Sequence, residues 1–264
     1  LDDLVDRLLP AQPDPTGVAD DTELARLYDF PPGLTKPWVK VNFVSSADGA
    51  VSLGGRSGGL SDENDKKIFQ LGRALADVVL VGAHTALIER YKGIAPGEVP
   101  GDLRAELGLA PLPPIAVVTR RASLEPNSAL IAKATVPTIV YTAESAPLER
   151  RQALADAGAD VVVTAEDDVD LVAVLADLDR RGLYRVCCEG GPQLFGSLIA
   201  ANLADELDLT IAPVLVGGDA GRIAVGHLPA GPTALRLATV LHADGQLMLR
   251  YLRAEEGGTT WHSR

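Results

Sequence analysis

The segment Arg185–Ser197 holds the densest chemistry in the chain. A Val-Cys-Cys run ends in Glu189, Gly190 and Gly191 follow, and Pro192 opens the pattern Gln193-Leu194-Phe195-Gly196-Ser197. Proline suits the first helical position, where its missing N–H costs nothing. Small residues ahead of it let a ligand approach the bare N–H groups of a helix start, and the helix dipole favours an anion there. A tight strand-to-helix turn that binds nothing fits the same residues. Glu189 adds weight to the ligand reading, because open α/β sheets bind ligands outside the carboxyl ends of their strands. Two more strand ends are polar or glycine-rich. The run from Asn42 through Ser45 and Ser46 reaches an Asp48-Gly49 turn and then the glycine-rich stretch Leu53–Gly59, while Val81-Gly82-Ala83-His84-Thr85 closes another strand. Neither a Walker loop nor a GxGxxG fingerprint occurs.

Strands and helices must carry these residues to one edge. Short Val/Ile/Leu runs predict strands at 38–44, 77–81, 115–119, 138–141, 160–164 and 185–189, apolar on both faces as in a buried parallel sheet. Helical patterns fall between them at 62–76, 148–157, 169–180 and 193–201. Alternating patterns at 207–212, 237–241 and 246–251, with Asp244-Gly245 between the last two, predict an antiparallel C-terminal hairpin. The expected fold is therefore α/β: a three-layer domain on a mixed, mostly parallel sheet. Residues 1–37 read as an N-terminal extension, an amphipathic stretch followed by a helix capped at Asp20 or Asp21 and closed by Pro31-Pro32. Residues 38–264 form the domain proper, and Gly93–Pro114 reads as one long polar loop.

Composition excludes several classes of function. The chain has 264 residues with 36 acidic and 24 basic side chains, a net charge of −12, which argues against a nucleic-acid binder. Two adjacent cysteines, Cys187 and Cys188, make neither a disulfide framework nor a CxxC metal site, and they suit a reducing, cytoplasmic setting. No metal is expected. No apolar run approaches the ~20 residues of a membrane span. The acidic opening is unlike a signal peptide, and a first residue that is Leu leads us to expect residues upstream of it.

The segments Val41–Gly59, Ala74–Thr85 and Glu189–Gly218, in that order and spacing, resemble the reductase domain of bacterial riboflavin biosynthesis proteins. The resemblance runs from about Trp38 to Arg253. It implies a dihydrofolate-reductase-like fold, NADPH as hydride donor and a homodimer. The implied reaction reduces the ribose of 5-amino-6-(5-phosphoribosylamino)uracil to a ribityl chain. On this resemblance Gly190, Gly191, Pro192, Gln193, Leu194, Phe195, Gly196 and Ser197 form the pyrophosphate loop. Val44, Gly82 and Thr85 line the nicotinamide half, and Thr119 with Arg120 faces the 2′-phosphate. Ser57, Arg73 and Glu189 are implied substrate contacts, with Glu189 orienting the pyrimidine or the sugar and Asp48 or a water relaying the proton. Asn42 stands where the family carries a lysine, with Lys40 two residues away on the same strand face. Gly59 replaces a tryptophan, and Ile88-Glu89-Arg90-Tyr91-Lys92 replaces an Asp-Pro with a downstream arginine. No H-x-E or P-C-x-x-C is present for zinc deamination. Two further readings stay open: a reductase of another pterin- or pyrimidine-like substrate, dihydrofolate included, and an NADPH-binding protein without turnover.

Overall fold

The structure is a computed structural model that describes residues 6–9, 19–226 and 231–254. Ten strands form one sheet: β1 Asp6–Leu9, β2 Trp38–Ser46, β3 Val78–Gly82, β4 Ile115–Val118, β5 Ile139–Ala143, β6 Asp160–Ala165, β7 Arg185–Cys188, β8 Glu206–Ala212, β9 Leu235–Ala243 and β10 Gln246–Arg253. The helices are α1 Asp21–Leu27, α2 Glu63–Leu75, α3 Ala83–Ile88, α4 Gly101–Glu106, α5 Leu148–Asp156, α6 Leu171–Arg180 and α7 Pro192–Ala200. The sheet order is β1-β9-β10-β8-β2-β7-β3-β4-β5-β6. From β8 to β6 every neighbouring pair is parallel, and β10, β9 and β1 add antiparallel partners. The mixed, mostly parallel sheet expected from sequence is realised, hairpin included.

Apolar residues on both faces of the parallel strands require a layer on each side. Helices α6 and α7 bring Val174, Leu178, Leu194 and Leu198 against Val41, Leu80 and Val186. On the other face α3 and α5 bury Ala86 and Leu154 with Val81 and Val140, and α1 and α2 bury Leu24 and Ile68 with Leu241 and Met248. The chain fills β3 to β6 outward on one side, then returns to insert β7 between β2 and β3 and to lay β8 on the far side of β2. That reversal opens a crevice at the carboxyl ends of β2, β7 and β3.

The N-terminal extension packs on the domain: β1 pairs with β9, and Leu24, Tyr28 and Phe30 are core residues. A four-residue strand at a sheet edge is too short to announce itself by alternation. One part of the chain differs from expectation. Gly93–Pro114 is not one loop, because α4 lies within it. The α4 helix has only six residues, and it is held by Arg104, which is fully buried. Arg104 Nη1 donates to the carbonyls of Arg73, Ala74 and Ala76 at 3.1, 3.0 and 2.8 Å, so a guanidinium caps the C-terminus of α2. At the other end of α2, the Asp62 side chain accepts from Asp65 N at 2.9 Å.

Lys40 belongs to this framework and, though it shares a strand face with Asn42, is taken up by buried carboxylates. Only 1% exposed, it lies 3.0 Å from Glu206 Oε1 and 3.9 Å from Asp208 Oδ2, and it donates to the Tyr28 carbonyl beneath the Phe30 ring. Arg250 completes the cluster by donating to both oxygens of Glu206 at 2.6 and 3.1 Å. Burial pushes the Asp208 carboxyl up to about 7, against the pull of Lys40. Its folded value therefore lies above its unfolded one, and stability from this group falls as pH rises from about 4 to 7. Lys40→Met should remove about 3–5 kcal/mol of unfolding free energy at pH 8, where two buried carboxylates lose their ammonium. The loss should be smaller at pH 5, where Asp208 is protonated in the parent as well. Urea unfolding at the two pH values measures both; equal losses would contradict the coupling.

Candidate active site

The crevice is a cleft of about 550 Å³. Asn42, Phe43 and Val44 from β2 line it, with Gly191 and Pro192 at the start of α7 and Thr85 on α3. One wall is a stripe of α2, where Asp65, Phe69 and Arg73 follow each other at intervals of four and so share a face. Ser57 and the stretch Ile88–Lys92 close the mouth.

Arg73 and Glu189 meet across that wall as a fork. Arg73 Nε donates to Glu189 Oε1 at 2.6 Å and Nη2 donates to Oε2 at 2.7 Å. The Tyr91 hydroxyl donates to the same Oε2 at 2.8 Å. The Glu189 side chain is wholly enclosed, whereas 18% of the Arg73 side chain is exposed. The guanidinium lies 4.6 Å from the Phe69 ring centre and 5.4 Å from that of Tyr91. Burial disfavours the Arg73 charge, but the Glu189 carboxylate outweighs it and raises the pKa above its usual value. Burial first, and then the Glu189 charge, push the Tyr91 hydroxyl far up, so it remains a donor.

Asp65 is the second carboxyl in the cleft, and its surroundings are different. It is 5% exposed and accepts from the Ser61 hydroxyl at 2.5 Å and from the Thr210 side chain. Desolvation raises its pKa, more than these hydroxyls lower it. No cation lies within ion-pair distance among the described residues. Above it, the half-buried Asn42 pairs in register with Asp208 of β8 and offers the cleft a neutral amide.

The opposite end of the cleft is built mainly from backbone. Gly190 has φ +91° and Gly191 φ +39°, and Cβ atoms there would stand 3.0 Å from the Phe43 ring and 2.9 Å from Thr85 Oγ1. Only glycine meets both demands, of angle and of space. The helix that follows leaves the Gln193 and Leu194 N–H groups without i−4 acceptors. Gly82 packs behind the turn and donates its N–H to the Gly190 carbonyl at 3.0 Å. Leu194 and Phe195 face the core, with the Phe195 ring stacked on Phe43 at 5.5 Å, while Gln193 and Ser197 are exposed. Gly196 is a packing glycine: the Val225 carbonyl occupies the space of its Cβ, and Val225 N donates to the Pro192 carbonyl at 3.0 Å.

The remaining predicted residues are more scattered. Thr119 and Arg120 follow β4 at the same sheet edge but do not line the cleft; Thr119 Oγ1 pairs with Ser123 Oγ at 3.0 Å. Arg120 is exposed, with Nε donating to the Asp167 carbonyl at 2.9 Å. Ser57 sits at the mouth, where its N–H and hydroxyl both donate to Glu89 Oε1 at 3.0 Å. Asp48 is not among the cleft-lining residues. Its carboxylate accepts from the Ser46 hydroxyl and from the N–H groups of Gly217 (2.7 Å) and Val216 (3.2 Å), which hold it down to about 2. It fastens the turn after β2 to the loop after β8. Sequence reasoning missed Asp65, Glu89 and Tyr91. The i, i+4, i+8 spacing of Asp65 and Phe69 from Arg73, within a helix already predicted, was a signal for the first. Tyr91 stood out only as a departure from a family pattern.

Among the described residues no cluster of His, Cys, Asp and Glu suits a metal, and no helix is long and apolar enough to cross a membrane. A 2,5-diamino-6-ribosylamino-4(3H)-pyrimidinone 5′-phosphate reductase from Archaeoglobus fulgidus is 33% identical over 184 residues, covering 69% of this chain and 83% of that protein. An enzyme with the same description from Aquifex aeolicus is 29% identical over 233 residues, 86% of this chain and 97% of its own. The crystal structure of a pyrimidine reductase-like protein from Corynebacterium diphtheriae superposes with a TM-score of 0.77 at 25% identity, covering 88% of this chain and 98% of that one. Residues 37–249 match the RibD C-terminal domain, and the chain belongs to that family.

Proposed function

We propose that this protein is an NADPH-dependent reductase acting on a phosphoribosylaminopyrimidine in riboflavin biosynthesis, of the 5-amino-6-(5-phosphoribosylamino)uracil type. The observation that carries this reading is the pairing, in one cleft, of the Gly190–Gly191 turn with the buried carboxyl of Asp65. The turn suits a dinucleotide, since side chains are sterically excluded where a pyrophosphate would approach and two helix N–H groups are unsatisfied. Gly191, Gln193 and Leu194 would hold the pyrophosphate by backbone N–H groups, with Pro192 setting the helix start, Val44, Gly82 and Thr85 would line the nicotinamide, and Arg120 would meet the 2′-phosphate. When bound, the cofactor supplies a hydride for C1′ of the substrate sugar. Asp65 holds the proton that the sugar ring oxygen takes as the C1′–O4′ bond opens, and solvent reprotonates it. Asn42 orients the sugar by its amide, and the Arg73–Glu189 fork meets the pyrimidine. Cys187 and Cys188, buried free thiols, are in keeping with a cytoplasmic setting. A second reading, a pterin-like substrate such as dihydrofolate, is favoured by one observation: Lys40, the strand cation nearest Asn42, is committed to buried ion pairs and offers a sugar phosphate nothing.

Purified protein should oxidise NADPH with the phosphoribosylaminouracil and not with dihydrofolate; the reverse result favours the pterin reading, and no oxidation with either favours a binding protein. Asp65→Asn should lower kcat by about 10²–10⁴-fold. The parent rate should fall as pH rises through the Asp65 pKa, which burial raises, and the variant should lose this alkaline limb. An unchanged limb in the variant would assign the proton elsewhere.

Arg120 tests the cofactor separately. Arg120→Ala should weaken NADPH binding about ten- to hundredfold, as expected for a lost charge-assisted contact, and leave NADH nearly unchanged. Equal affinity of the parent for both cofactors would remove Arg120 from the site.

A homodimer is part of the same proposal. Leu209, Ile211, Leu247 and Leu249 lie on one face of β8 and β10 and are only half-buried. Light scattering at micromolar concentration should give twice the chain mass, and Leu249→Glu should halve it. A parent that is monomeric across that range would contradict the dimer.

A further inference from the structure

The segment 213–226 leads from β8 toward β9 without forming helix or strand, and hydrogen bonds fix it along its length. At its start the Val214 carbonyl accepts from Ala47 N at 3.0 Å, and the Asp48 carboxylate accepts from Val216 N at 3.2 Å and Gly217 N at 2.7 Å. Midway, the Gly221 carbonyl accepts from Val51 N at 3.2 Å. Further on, Val225 N donates to the Pro192 carbonyl at 3.0 Å, and Ile223 and Ala224 pack on the core cluster that contains Leu194 and Phe195. The segment therefore ties the turn after β2 to the first turn of α7.

The contact at α7 is a clip of backbone on backbone. A Cβ on Gly196 would stand 1.9 Å from the Val225 carbonyl oxygen and 2.8 Å from its carbon, so residue 225 lies across α7 from Pro192 to Gly196, one turn apart. Glycine weakens a helix interior, and here its bare Cα is what admits the strap. The clipped turn is the one whose Gln193 and Leu194 N–H groups lack i−4 acceptors. The Pro192 carbonyl and the Gln193 N–H belong to one planar peptide, so holding the oxygen fixes the direction in which the N–H points. Asp48 secures the far end. The Ser46 hydroxyl and the two strap N–H groups hold its pKa down to about 2, so this anchor stays charged across the neutral range.

We infer that the segment 213–226 is a strap that orders the pyrophosphate turn, with Asp48 and Gly196 as positioning residues that act on the dinucleotide through the strap. The inference rests on the dinucleotide reading of the Gly190–Gly191 turn and goes further by naming what holds that turn in shape. Coupling of this kind is reciprocal: a strap that favours the cofactor is itself steadied by the cofactor, by the same factor. It also acts on one half of the cleft. None of the hydrogen bonds described for the strap reaches α2, where Asp65 and Arg73 stand.

Fluorescence titration of the whole protein with NADPH, together with amide hydrogen exchange of residues 213–226, tests this. Gly196→Ala keeps a good helix former in α7 and drives a methyl into the Val225 carbonyl, while Asp48→Ala releases the other end of the strap. Each should weaken NADPH binding about tenfold, the loss expected when the competent state falls to about a tenth of the molecules. Each should leave the affinity for 5-amino-6-(5-phosphoribosylamino)uracil, measured without NADPH, within about twofold of the parent. In the parent, NADPH should slow exchange of the Val216, Gly217 and Val225 amides. Leu215→Ser, at a strap position 82% exposed, should change neither readout. If Gly196→Ala fails to fold, Asp48→Ala alone decides. Unchanged NADPH affinity in the variants overturns the inference, as does an equal loss of both ligands, which marks a merely structural segment. A parent that binds no NADPH overturns the dinucleotide reading and takes the inference with it.

Discussion

The fork between Arg73 and Glu189 joins residues 116 positions apart, and the geometry of the cleft depends on it. It ties α2, on one face of the sheet, to the end of the strand inserted last between β2 and β3. The fork requires α2 to be fixed before its guanidinium can reach across. Asp62 caps its start, and the buried Arg104 holds its last carbonyls, including that of Arg73 itself. At the other end of β7, Asp77 accepts from the N–H groups of Tyr184 and Arg185 at 2.9 Å each, so the strand enters the sheet at a set height. With both partners anchored, the fork costs little further ordering entropy, and charge-assisted bonds of this kind are worth about 1.5–3 kcal/mol each. The position of Asp65 two turns earlier on α2 follows from the same constraint.

The half of the cleft that suits a dinucleotide was legible in sequence, because its requirements are backbone requirements. A positive φ and a close approach permit glycine and little else, and a helix start marks itself with proline; Gly190, Gly191 and Pro192 therefore announce their geometry one residue at a time. The strands were legible for a similar reason: buried parallel strands read as apolar runs whatever their neighbours are. The other half depends on side chains that meet only after folding. Tyr91, Arg73 and Glu189 come from a loop, a helix and a strand end, and nothing in their spacing says that one carboxylate will gather the other two. Arg104 was invisible for the same reason, since a buried arginine serving another helix's carbonyls looks in sequence like any charge in a polar stretch.

Lys40 marks the limit of reasoning by strand parity. Residues two apart on a strand do share a face, and Lys40 does point to the same side as Asn42. Yet Tyr28 and Phe30, from the chain before β2, cover the lysine and leave the asparagine at the cleft. Parity gives the direction of a side chain; what lies in that direction is decided by segments far away in sequence. Here the covering segment precedes the part of the chain that matches the family, so the charge at Lys40 serves the junction of that segment with β8.

Of the three carboxyls that line the cleft, the two enclosed ones illustrate how environment separates roles that residue type alone cannot. Glu189 and Asp65 are both enclosed, but Glu189 has a guanidinium in bidentate contact and Asp65 has only hydroxyls. Around Glu189 three donors converge, two from Arg73 and one from the Tyr91 hydroxyl. A buried carboxyl without a cation beside it is pushed toward its neutral form, the form that can donate a proton, and the Asp65 pKa is raised accordingly. Asp48 completes the contrast: exposed and fed by two backbone N–H groups and a hydroxyl, it is held down to about 2 and has no proton to give at physiological pH. Sequence motifs favour Asp48 for acid chemistry because it stands in a conspicuous Ser-x-Asp-Gly turn. Desolvation instead raises the pKa of Asp65, the opposite direction to Asp48, and since reduction of a sugar carbon consumes a proton, that direction is what recommends Asp65 for the role proposed for it.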